Sequence, residues 1–475
     1  MPLQRRFESQ IGRIQQASAR PAWKPAIIVS LILWFMIWGG YNTVIELVLS
    51  PGFPANGLDL LQGMRVFLPV LAGWVAILIL LSGRSLKTQA VAGPLGLLGF
   101  YTMAGIISSI FLSPFPPDAL CWAFEFGAVI LVLMVVLNNQ DAPQTLSRLM
   151  TFNWIIAICL LVAILAAIPF LGSAAISPTQ GSPLGIIVYH GGVQANGSLL
   201  GMPTSRNTGL ARYAGVAGVV ALARLLKPVK PGKRVRIAWA AVLLLSLVTL
   251  VLAQARTETL SFVAGAALIM TLRKRRRVVL IGFGSLGAVL LGLVGFFNAA
   301  WSFGTRQQGF DPTLTGRTNI WAAAMKVIGQ SPWLGFGFRA DRYLVHADMQ
   351  NSFLHALIQA GVLGAIAYVA AFGMAWYLVI RLYLSPQSGD LFDEVPAILM
   401  FFTVMSITET AAWYTADWLL LAPAFAYIQL VAWQQKMASV ATSSARWKPV
   451  RLSTPAFGMR RIQAMKRNSL NGADY

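Results

Sequence analysis

The chain is short of charge, of acid above all, and of cysteine and histidine. Charged residues make up 11% of its 475 positions, hydrophobic residues make up 57%, and the mean hydropathy is +0.66. So little polar surface cannot cover a water-soluble globule of this size, which leaves an integral membrane protein. The two cysteines, Cys121 and Cys159, both sit inside apolar runs. They support neither a disulfide framework nor a zinc site. No GxxxxGK[ST] nucleotide loop, HExxH helix or GxSxG elbow occurs. Nor does the expected outer face carry a run of carboxylates of the kind that holds a divalent metal. ATP-driven transport and metal-assisted transfer both lose ground, and no cofactor or metal is expected.

Against 16 acidic residues stand 37 Lys and Arg, for a formal charge of +21. The basic residues do not form one stripe interleaved with aromatics, so nucleic acid is not the expected partner. They recur in short clusters between apolar runs, where they act as topology signals. Apolar segments long enough for a bilayer can be marked at 26–48, 64–82, 92–112, 119–138, 151–172, 208–226, 236–254, 257–272, 278–300, 353–382, 394–413 and 417–434. The pattern predicts an all-α polytopic membrane protein of about twelve transmembrane helices. Residues 1–25 read as a retained cytoplasmic segment, 26–434 as the membrane domain and 435–475 as a basic cytoplasmic tail. Lys and Arg fall in alternate loops and at both termini, which puts those on the cytoplasmic side and the long loops 173–207 and 301–352 on the outer side.

Arginines left on the outer side run against that bias and are candidates for holding an anion. Arg256, in LAQARTETLSF, lies near membrane depth, where an ionisable residue is costly and a functional candidate. The plainer alternative is an arginine that reaches the interface or pairs with Glu258. Arg206 and Arg212, in RNTGLARYAG, open a helix, and Gly209 and Gly215 allow close packing there. Two guanidiniums at a helix N-terminus suit a phosphate or pyrophosphate. Arg317 precedes an amphipathic helix from about Thr318 and is either a further anion ligand or a helix-capping residue. Trp321 and Trp333 suit the membrane interface.

The stretch FRADRYLVHADMQNSFLHALIQAG carries His346, Asp348, Asn351 and His355 at the entry to the next span. His346 and Asp348 could form a base and its partner, because imidazole titrates near neutrality. His355 lies deeper on an apolar helix, and the plainer reading there is a packed polar residue. His190, in the loop 173–207, has no orienting carboxylate near it in sequence and reads as a loop histidine without chemistry.

Taken in order, ARTETLSF, TGRTNIW, PWLGFGF and NSFLHALIQAG resemble the motifs of the O-antigen ligase family, whose relatives include O-antigen polymerase-like transferases of lipid-linked glycans. The resemblance implies a GT-C-like, metal-independent, inverting glycosyltransferase with a helical periplasmic loop region. It further implies an undecaprenyl-pyrophosphate-linked O-antigen as donor, lipid A-core as acceptor, and a site at the periplasmic face of the inner membrane. Under it, His346, Arg317 and Arg256 are the catalytic candidates, and Arg206, Arg212, Arg339, Arg342 and Asn351 bind substrate. The chain departs from the pattern at one point, since many members have histidine directly before the asparagine and here that residue is Gln350. His355 therefore stays open as the alternative base. O-antigen polymerase, a protein O-glycosyltransferase and a transporter of a lipid-linked anion are the competing readings.

Overall fold

Apolar runs punctuated by proline, glycine and charge fold here into helices. The computed structural model describes residues 23–40, 52, 57–82, 87–139, 141–171, 207–227, 232–253, 255–272, 317–383, 393–410 and 415–446, and among these no strand occurs. In order the helices are α1 (Trp23–Gly40), α2 (Gly57–Ser82), the single turn α3 (Thr88–Val91), α4 (Pro94–Phe111), α5 (Pro116–Asn138), α6 (Ala142–Leu171) and α7 (Asn207–Leu225). They continue with α8 (Lys233–Ala253), α9 (Arg256–Leu272), α10 (Arg317–Ile328), α11 (Ala340–Leu344), α12 (Ser352–Tyr383), α13 (Glu394–Thr408) and α14 (Thr415–Arg446). Proline opens α4 and α5, a position where its missing N–H costs no hydrogen bond.

The stretches Pro94–Phe111, Pro116–Asn138, Ala142–Ala163, Lys233–Val251 and Ser352–Tyr383 are long and apolar enough to cross a bilayer. Phe67, Leu71, Trp74, Leu78 and Leu81 of α2 are all more than half exposed, as is Ile366 of α12. Such a surface is unfavourable in water and suited to lipid. Each expected span has a helix at its place except 278–300, which lies outside the described residues, as do His190 and Arg206. The last helix runs past the expected end of the membrane domain, to Arg446.

The chain forms two compact units, Met1–Ala432 and Trp433–Tyr475. Within the second, the Lys436 ammonium lies over the Trp433 ring, 5.5 Å from its centroid.

Within the first unit, side-chain links between helix ends fix which termini lie together. Glu394, at the start of α13, pairs with Arg224 (2.8 Å) and Lys227 (2.9 Å), which close α7. Tyr383 at the end of α12 donates to the carbonyl of Leu272 at the end of α9. Lys87 N–H donates to Asn138 at the end of α5. The opposite termini, namely the starts of α7, α9, α12 and α14 and the end of α13, gather at the other end of the bundle. The basic residues Lys87, Arg148, Lys227, Lys233, Arg234, Arg236 and Arg381 lie toward the first of these ends. Between the ends the core is aromatic, with Tyr101, Phe126, Phe338 and Tyr368 in mutual ring contact and Phe126 stacked on Trp418 at 4.2 Å. The ring of Phe401 packs so closely on Gly215 that a Cβ there would lie 2.4 Å from it, the close approach expected of that glycine.

Candidate functional site

A glycine inside an apolar run breaks the helix that carries most of the candidate residues. Gly361 sits within α12 at φ 61 and ψ −168, outside the helical region. A break releases backbone groups that lipid cannot satisfy, so protein must supply partners. The partners come from PWLGFG, residues 332–337. Phe336 and Gly337 N–H donate to the carbonyls of Ile358 and Gln359, and Val362 N–H donates to Pro332, each at 2.8 Å. Contact this close requires glycine. A Cβ on Gly335 would lie 2.6 Å from Gly361 N, and one on Gly361 would lie 2.2 Å from the Trp333 carbonyl oxygen.

The same segment is fastened to the bundle. Ser108 Oγ donates to the Leu334 carbonyl, Phe338 N–H donates to Ser109 Oγ (3.1 Å), and the Phe338 ring enters the aromatic core. Arg339 places Nη1 3.0 Å and 3.1 Å from the two oxygens of buried Asp118 and lies over the Trp122 ring. Tyr343 donates to the same carboxylate at 3.0 Å. Arg339 thus anchors the loop, and Asp118 is a partner that spacing did not reveal.

From this anchored segment the chain passes α11 and enters the loop 345–351, where His346 (φ 54) and Gln350 (φ 46) occupy the left-handed region. Such conformations cost on the order of 1–3 kcal/mol each and persist where surroundings impose them. The imposing contacts are visible. Asp348 accepts from Gln350 N–H (3.2 Å), Thr410 Oγ1 (3.0 Å) and Arg342 (2.9 Å). Asn351 Oδ1 accepts from the N–H groups of Phe353 and Leu354, and its Nδ2 donates to Ile407. Asn351 is therefore the N-cap of α12, a role that its residue type and position favour. Trp321 donates to the Met349 carbonyl at 2.7 Å, so this tryptophan closes α10 onto the loop, while Trp333 is exposed. Ile320, Ala324, Val327 and Ile328 bring the apolar face of α10 against Met349 and Ile358 in a small separate core.

Beside this loop lies a charge cluster built from five helix termini. Arg212 of α7 is buried and pairs with Glu258 of α9 (3.3 Å), Glu409 after α13 (3.2 Å) and Asp417 of α14 (2.8 Å). Arg317, at the start of α10, pairs with the other oxygen of Glu409 at 2.8 Å, and its Nε donates to Gln350 Oε1 at 2.6 Å. Two guanidiniums thus face three carboxylates, which offsets the cost of burying either charge sign alone. Glu258, which the plainer alternative offered as a partner for Arg256, is bound instead to Arg212. Arg256 is exposed and pairs with no carboxylate among the described residues.

The two histidines differ in kind. His346 is exposed on its loop, while His355 is buried, with Nε2 3.2 Å from Asp341 Oδ1 and 2.7 Å from Gln359 Nε2. Gln359 in turn accepts from Tyr101 at 2.6 Å. His355 therefore belongs to a polar chain inside the bundle, as the plainer reading has it.

The structure thus brings Arg212, Arg317 and Asn351 to one region with the His346 loop, and it engages Arg339 and Arg342 with carboxylates nearby. Sequence reasoning passed over Glu409 and Asp417, and it took Gln350 only as a departure from the family pattern. A signal existed for the first two, because few acids occur in this chain and these flank the ends of apolar runs on the side that carries the unexplained arginines.

No curated protein and no solved structure matches the chain. A family model does: residues 241–369, which carry Arg256, Arg317, the PWLGFG segment and the His346 loop, match the family described as O-antigen ligase. That match supports the O-antigen ligase family for the segment 241–369.

Proposed function

We propose that the protein transfers a completed glycan from an undecaprenyl-pyrophosphate carrier to a sugar hydroxyl of lipid A-core, at the periplasmic face of the bacterial inner membrane. The observation that carries this reading is the placement of Arg317. Within the matched segment its guanidinium is held between Glu409 and Gln350, against the loop that presents His346. In the reaction, His346 takes the proton of the acceptor hydroxyl, the freed oxygen attacks the anomeric carbon, and the bond from that carbon to the pyrophosphate oxygen breaks. The bonding electrons leave with the pyrophosphate, which departs as undecaprenyl pyrophosphate, and a single displacement of this kind inverts the anomeric centre. Arg317 and Arg256 oppose the charge that grows on the leaving group. Arg342, beside the same loop, binds the donor as well, and Arg206 is assigned to donor binding from its place in the sequence. Arg212, Arg339 and Asn351 serve substrate binding at one remove, by holding Glu409, the loop anchor and the start of α12 in place.

The periplasmic assignment is supported by the distribution of charge. The end of the bundle remote from the cluster gathers the short-loop lysines and arginines, as cytoplasmic ends do. The decisive experiment reconstitutes the purified protein with a polymerised lipid-linked glycan and lipid A-core, without ATP. The expected product is glycan joined to lipid A-core. Lengthening of the donor would make the protein a polymerase, and chemically unchanged substrates on opposite sides of the membrane would make it a transporter.

A further inference from the structure

Gln350 stands at the centre of the site, and it is held more firmly than a loop glutamine requires. Its backbone is in the left-handed region at φ 46, a conformation uncommon for a side chain of this type. Its N–H is bound to Asp348 Oδ1, and its carbonyl oxygen Oε1 receives Arg317 Nε at 2.6 Å. Arg317 is fixed in turn by Glu409, and Asp348 by Thr410 and Arg342.

With Oε1 committed to Arg317, the NH2 group is the arm of the amide left to meet a ligand. No described residue receives those N–H groups, and the Nη1 N–H groups of Arg317 are likewise without a partner among the described residues. An amide NH2 group only donates, so an acceptor-only ligand satisfies it. Phosphate oxygens are acceptors only.

We propose that Gln350 is a substrate-binding residue: its carboxamide N–H groups, aligned by the Arg317–Gln350 bond, receive a pyrophosphate oxygen of the lipid-linked donor beside the Arg317 guanidinium. This rests on the transferase reading given above. It assigns a binding role to the one motif position at which the chain departs from the family pattern. An amide cannot act as a base at neutral pH, so the residue contributes affinity and orientation and leaves proton transfer elsewhere.

The test is equilibrium binding of undecaprenyl pyrophosphate to the detergent-purified full-length protein, in the wild type, Gln350→Ala and Gln350→Glu, with thermal melting as the control for folding. The Glu variant separates the alternatives, because it keeps an oxygen for Arg317 while replacing the NH2 donor with a second, charged acceptor. Loss of a hydrogen bond to a charged ligand weakens binding by about ten- to a hundredfold. That loss is expected for Gln350→Ala, and one at least as large for Gln350→Glu. If Gln350→Glu binds as tightly as the wild type while Gln350→Ala does not, the residue serves only to hold Arg317 and the proposal is wrong. Undiminished binding in both variants overturns it as well. A wild-type protein that does not bind undecaprenyl pyrophosphate at all removes the transferase reading itself, a result distinct from either of these.

Discussion

Arg212 shows what a single buried residue does here. Its guanidinium is satisfied on three sides by Glu258, Glu409 and Asp417, so its charge is spent inside the protein. Breaking such an arrangement by removing one partner costs about 3–5 kcal/mol, far more than an exposed pair contributes. The same distinction separates the two histidines. His346→Ala should leave the thermal midpoint almost unchanged, since exposed substitutions shift stability by no more than about 0.5 kcal/mol. It should lower transfer by about 10²–10⁴-fold through loss of the base. His355→Ala removes the imidazole facing buried Asp341, should destabilise by about 1–3 kcal/mol, and should retain transfer per folded molecule. Melting curves and initial rates measured on the same preparations decide the matter. A destabilised but active His346→Ala, together with an inactive, stable His355→Ala, would reverse the two assignments.

Among the elements, α12 and the 332–337 segment act as one unit. A helix broken at Gly361 presents two carbonyls that this segment satisfies, and the segment in turn receives the N–H of Val362. Gly361→Ala places a methyl group against the Trp333 carbonyl at a φ of 61, which should cost about 2 kcal/mol or more and abolish transfer. Gly373→Ala, further along the same helix with open space around it, should be tolerated. Equal thermal midpoints for the two variants would show that the break is not held as described. The helices themselves were legible from apolar run length, because a bilayer demands about 20 such residues whatever the partners. The break was not legible. Glycine is ordinary in membrane helices, and nothing local to Gly361 reveals that a loop ending 24 residues earlier carries the matching donors. The helix α10 was legible from its spacing, whereas the role of Trp321 depended on where the Met349 carbonyl lay.

At the scale of the molecule, the alternation of helix direction places the charge cluster at one end and most short-loop lysines and arginines at the other. Reporter fusions after Lys227 and after Gln330 should therefore report opposite sides of the membrane, with Gln330 outside. The same side for both would invalidate the topology. The gathering of basic residues at one end could be read from the sequence because it depends on the sum of many charges. The cluster could not, because it depends on pairings between positions as far apart as Arg212 and Asp417, which share no local pattern.

That separation has a consequence for the order in which the molecule is made. Glu258 follows Arg212 by 46 positions and is its first counter-charge to leave the ribosome; Asp417 follows by 205. At about 5–20 residues per second, the nascent chain waits on the order of 10–40 s between the synthesis of Arg212 and the arrival of Asp417. From its own synthesis until that of Glu409, 197 positions after Arg212, Glu258 is the one carboxylate of the cluster at hand to neutralise the arginine during insertion. The cluster is closed by α14, so a ribosome-bound intermediate lacking that helix holds every motif of the matched segment and still lacks a counter-charge of Arg212.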